Sequence, residues 1–194
     1  MKNKNLMRLT QCALIAALAY VGFQLLRIDI PVGTERTAVH MGNAFVVLGA
    51  LLVGGGWGGL AGALGLTLAD VTSGYVTSAP KTFILKMVMG LIAGLVSTKL
   101  MHKESKKTAV EQTKVALVSS IVALGINVVL DPLFGYFYKA YIFGIPQDMA
   151  KTLSKIGSAT SLVNAIISTI VVTAVWPALY TALKKAGMLH WEDK

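Results

Sequence analysis

The chain has a single cysteine, Cys12, among 194 residues, so it cannot form an intrachain disulfide. Its three histidines, His40, His102 and His190, lie far apart, and a structural or catalytic metal site is not expected. No G-x-x-x-x-G-K-S/T phosphate loop occurs; the stretch Pro80-Lys81-Thr82 has proline where such a loop needs glycine. H-E-x-x-H and G-x-S-x-G are also missing, which leaves zinc and serine hydrolases without their chemistry. The chain is not read as an enzyme, and no cofactor is expected. Charge is scarce as well, at 14% of residues, where a soluble domain carries about 25%.

Apolar residues make up 55% of the sequence, gathered in runs too long for a soluble core. The expected fold is an all-α integral membrane protein, one domain over residues 1–194 with six transmembrane helices. The spans are Leu9–Leu26, Met41–Val53, Trp57–Val71, Lys81–Leu100, Val115–Tyr138 and Ile156–Leu183. The second and third are short and count separately only because "GGGWGG" must reverse the chain; a re-entrant hairpin is the competing reading. Lys2, Lys4 and Arg8 ahead of "CALIAALA" imitate a signal peptide, but the apolar run continues through "YVGFQLL" and is read as a span. Between the first two spans, "RIDIPVGTERTAVH" reads as a polar loop broken by Pro31 and Gly33.

The net charge of +9 invites a nucleic-acid reading, but no basic groove with stacking aromatics accompanies it. The cations instead flank apolar runs: Lys2, Lys4 and Arg8 at the start, Lys99, Lys103, Lys106, Lys107 and Lys114 around the main polar break, and Lys184, Lys185 and Lys194 at the end. That is 11 of the 18 lysines and arginines on one side, and it places both termini in the cytoplasm.

In "PKTFILKMVMGLIAG", Lys86 lies within an apolar helix, whereas Lys81 can sit at a water boundary. From the helix rise, Lys86 lies roughly 12 Å, Asp131 roughly 10 Å, Asn127 roughly 16 Å and Asn164 roughly 10 Å from the outer boundary. His40 and Asn43, with Gln24 and Asp70, stand near the outer helix ends. Polar groups from several helices therefore share the outer layer, and Asn127 and Asp131, four apart, share one face. An ionisable group in a span is expensive unless paired or hydrated. Lys86 is expected to be compensated by Asp131, by Asp70 or by a bound solute. A bare Lys86–Asp131 ion pair, snorkelling of Lys86 and interhelical bonding by the asparagines are the plainer alternatives. Gly55/Gly59, Gly58/Gly62 and Gly90/Gly94 carry close-packing spacing, as do Ala13/Ala17 in the first helix.

The stretch "HMGNAFVVLGALLVGGGWGGLAGALGLTLADVTSGY", followed by "APKTFILKMVMGLIAG", resembles the substrate-binding S-component of energy-coupling factor (ECF) vitamin transporters. The branch it is most similar to is the one linked to hydroxymethylpyrimidine, pyridoxine or riboflavin. The resemblance implies a six-helix bundle that binds a vitamin near the outer face and works with a transmembrane coupling subunit and two cytoplasmic ATPase subunits, toppling to release its cargo inward. It further implies a pocket that includes Lys86, Asn127, Asp131 and Asn164, a lid over residues 27–40 with Arg36 and His40 as contacts, and Ala13 and Ala17 as the coupling-subunit motif. Lysine, amides and a carboxylate suit a small heteroaromatic such as hydroxymethylpyrimidine or pyridoxine, with Tyr75, Tyr136 and Phe134 available for stacking. Riboflavin as cargo, a stand-alone ion-coupled carrier and a purely structural membrane protein are the alternatives.

Overall fold

The computed structural model describes residues 4–32, 35–101 and 108–189. Gly33, Lys2, Lys103, Lys106, Lys107 and Lys194, with His102 and His190, lie outside the described residues. The described residues form six α-helices: α1 (Lys4–Gln24), α2 (Gly42–Val53), α3 (Gly55–Thr72), α4 (Ala79–Met101), α5 (Ala109–Phe137) and α6 (Gln147–Lys185). Four helical stretches, those of α1, α4, α5 and α6, are long and apolar enough to cross a membrane.

The fourth of these overshoots any bilayer. With 39 residues, α6 is roughly 58 Å long. It begins at Gln147 rather than at Ile156, so a segment expected to be loop is helix. Likewise α5 begins at Ala109, not Val115, because Thr108 and Glu111 form a reciprocal capping box at its start. Pro132 sits inside α5 without ending it, and one π-type turn, Tyr138–Ile142, follows.

The expected loop between the first two helices is a β-hairpin, which adds a small sheet to an otherwise helical chain. Strand β1 (Ile28–Val32) pairs antiparallel with β2 (Glu35–Val39), from Ile28 opposite Val39 to Val32 opposite Glu35. Alternation in Ile28-Asp29-Ile30-Pro31-Val32 suits a strand, and Pro31 is tolerated because a two-stranded ribbon has only edges.

At the centre lies α2, apolar all round apart from Asn43, in which every residue except Phe45 is buried. Its 12 residues extend roughly 18 Å, well short of the ~30 Å hydrocarbon thickness. Glycines make this possible. Gly54, at φ 88°, turns the chain between α2 and α3. A Cβ on Gly58 would collide with the backbone of Gly49, one on Gly90 with Gly59, and one on Gly94 with Gly55. A Cβ on Gly65 would run into the carbonyl of Ala16 on α1. All three spaced glycine pairs of the sequence thus lie at helix crossings inside the bundle.

A polar cavity beneath the hairpin

Because α2 starts below the hairpin while α3 to α6 continue upward, a space remains above its first turn. The cavity measures about 150 Å³ and is lined from the hairpin and α2 through α6. At its floor, His40 Nδ1 accepts a hydrogen bond from the Gly42 N–H at 3.1 Å, which leaves the ring proton of the neutral imidazole on Nε2. The imidazole packs 4.6 Å from the Phe23 ring. Asn43 lies beside it and is 3% exposed.

Lys86 makes its direct bond neither to Asp131 nor to Asp70 but to an asparagine of the neighbouring helix. Lys86 is 9% exposed, and its Nζ donates to Asn127 Oδ1 at 3.1 Å. Asp131 instead accepts from Lys81 Nζ at 2.7 Å, and Ser161 donates to its other oxygen. Asp70 Oδ2 accepts from the Thr82 hydroxyl at 2.5 Å. Antiparallel register explains the exchange. Where α4 descends and α5 ascends, the deeper lysine meets the deeper Asn127 and the shallower one meets Asp131. Lys81, which the sequence allowed at a water boundary, lines the cavity.

Asn164 holds the hairpin. Its Oδ1 accepts from the His40 N–H at 2.9 Å, and its Nδ2 donates to the Ala38 carbonyl at 3.0 Å. Arg36 is exposed but lines the cavity mouth, with its guanidinium 5.1 Å from the Tyr75 ring centroid and a 3.4 Å bond to the Ser73 carbonyl. Gly74, at φ 80°, leaves room for it; a Cβ there would stand 2.6 Å from Arg36 Nη2. The Tyr75 hydroxyl donates to Asp29 Oδ1 at 2.9 Å. Burial, and then the Asp29 carboxylate, push its pKa up to about 12, so it remains a donor.

Of the residues singled out from the sequence, Arg36, His40, Asn43, Lys86, Asp131 and Asn164 line the cavity. Asn127 does not line it but stands behind Lys86 as its partner. Tyr75 lines it, whereas Phe134 is exposed and Tyr136 packs among Phe137 and Tyr141, because Asp131 and Gly135 hold the inward face of α5. Lys81, Thr82, Ser154 and Ser161 were passed over. For Ser154 the reason is the late start assigned to α6; Ser154, Ser161 and Asn164 follow helical spacing on one face. At the surface, Ala13 and Ala17 are exposed beside Leu9, Leu14 and Leu18, while Ala19 turns inward.

The family model described as "ECF-type riboflavin transporter, S component" matches residues 3–185. The chain belongs to this family. No curated protein matches it. A solved structure described as "Structure and mechanism of the S component of a bacterial ECF transporter" superposes with a TM-score of 0.61 at 16% identity, covering 93% of this chain and 99% of that one. At that identity the likeness concerns the fold. As an S component, the chain is a membrane-embedded vitamin-binding subunit of an ECF transporter and not an enzyme.

Proposed function

We propose that the cavity beneath the hairpin captures a single-ring heteroaromatic vitamin or precursor, hydroxymethylpyrimidine or pyridoxine, at the outer face of a bacterial cell membrane. On this reading the S component has six spans and cytoplasmic termini. It delivers its cargo to a transmembrane coupling subunit and two cytoplasmic ATPase subunits, with Ala13 and Ala17 on the docking face of α1. Lys86, Asp131, Asn43, His40 and Arg36 contact the cargo, Asn127 orients Lys86, and Asn164 sets the hairpin over the site.

The observation that carries the cargo class is size. A cavity of about 150 Å³ is below the ~300 Å³ lower end for drug-sized ligands, which suits one ring better than three fused rings with a sugar-alcohol chain. Riboflavin is the second reading, favoured by the description of the matching family; it requires the hairpin to lift.

Thermal stability of the detergent-purified chain against a vitamin panel, with Lys86→Ala alongside, tests the proposal. A ligand that binds only the folded state raises the melting temperature. One single-ring vitamin should stabilise the wild type and not the variant. Stabilisation by riboflavin alone would replace the first reading with the second. Uptake should disappear when the coupling subunit or the ATPases are left out; uptake by this chain alone would support an ion-coupled carrier.

A further inference from the structure

The walls of the cavity differ in hydrogen-bonding sign. Donors come from α4 and the hairpin: Lys81, Lys86 and Arg36 all line the space. The adjoining wall, built by α2 and α3 against α4, offers acceptors. Asn43 Oδ1 is fully buried and makes no hydrogen bond among the described residues. The Asn43 side chain lines the cavity; an orphaned buried acceptor is costly, and rotation of this amide about its Cβ–Cγ bond brings Oδ1 to a donor bound there. Asp70, 6% exposed, gives one carboxylate oxygen to Thr82, and its other oxygen has no hydrogen bond among the described residues.

The two residues belong to one wall. Contacts between α2 and α3 run Gly49 to Gly58, Val46 to Gly62 and Gly42 to Leu66. Asn43 therefore sits at the level of Leu66, with Asp70 one helical turn higher on α3. Neither comes from α4 to α6 or the hairpin, which supply the other polar contacts.

We infer that Asn43 Oδ1, with Asp70 above it, is a specificity element that reads a ring N–H donor of the cargo, an exocyclic amine or an imide N–H. This rests on the cavity being the cargo site. A cargo so placed is bipolar, with its N–H edge toward α2 and α3 and its acceptor atoms toward Lys86 and Lys81. An amine next to a ring nitrogen has this form, as does an imide N–H between carbonyls.

Matched ligand pairs test it on the intact wild-type chain by isothermal titration. The first pair is 4-amino-5-hydroxymethyl-2-methylpyrimidine and its 4-desamino analogue; the second is riboflavin and 3-methylriboflavin. Whichever parent binds, its donor-lacking mate should bind about tenfold more weakly or worse. Asn43→Ala, or Asn43→Ser if the alanine variant does not fold, should close most of that gap by weakening the parent. Equal binding of parent and mate overturns the inference, as does a gap that Asn43 variants leave unchanged. If neither parent binds but pyridoxine does, the N–H reader is wrong and the cavity remains the cargo site. If pyridoxine also fails to bind, the site reading falls with it.

Discussion

The two sides of the cavity are held together by opposite means. On one side α2, α3 and α4 meet backbone to backbone, with Gly49 against Gly58, Gly59 against Gly90 and Gly55 against Gly94. On the other, α4 meets α5 and α6 through side chains, in the Lys81–Asp131–Ser161 chain and the Lys86–Asn127 bond. Lipid gives helices no hydrophobic reason to associate, so close packing and polar bonds are the two remaining means. The glycine side has no slack, since any shift costs contact along a whole ridge. The polar side can re-pair, and its groups are the ones a solute can borrow.

The contrast can be broken most severely at the first side. Gly58→Leu drives a side chain into the backbone of Gly49, and should cost about 3 kcal/mol or more. The readout is a lowered melting temperature in detergent or failure to accumulate. An unchanged melting temperature would show that the glycine crossing is not a constraint.

On the polar side, Lys81→Met strands the Asp131 carboxylate. Loss of one partner of a fully buried pair costs about 3–5 kcal/mol. Because each side chain here keeps 19% of its surface, about 2 kcal/mol is expected. Adding Asp131→Leu should restore much of that loss, a recovery no glycine variant can show.

Asn164→Ala comes next, at about 1 kcal/mol in global stability. It frees the Ala38 carbonyl and the His40 N–H, so amide exchange over residues 36–40 should accelerate while α2 and α3 stay protected. Uniform acceleration would mean that Asn164 supports the bundle and not the hairpin. The smallest effect has the opposite sign. A Cβ on Gly125 of α5 meets nothing within 4 Å, so Gly125→Ala should stabilise by about 0.5 kcal/mol through helix propensity.

Much of this was legible in the sequence where one residue type has one use. Glycines four apart in an apolar run mark close helix crossings, and polar groups at matching depths on different helices mark one layer. Lys86, Asp131, Asn164 and His40 were found that way. Pairings were not legible, because which lysine of α4 faces Asp131 depends on the register of two antiparallel helices, a quantity no single segment contains. Ser154 was missed because Gln147–Lys155 is polar enough to read as loop until α5 and the cavity bury one of its faces. The hairpin was read as a lid by resemblance, and its strands follow from an alternation too short to stand against Pro31.

The brevity of α2 has a consequence for evolution within such a scaffold. Its first turn is the cavity floor, and α3 rises about 9 Å beyond it, from Leu66 to Thr72. Depth is therefore a residue count. One turn more at the start of α2 would fill the chamber, and one turn fewer would remove Asn43 and open it to a larger guest. A bundle of this design can change the size of what it carries by insertion or deletion at a single helix end, leaving the lipid-facing surface, and whatever docks there, unaltered.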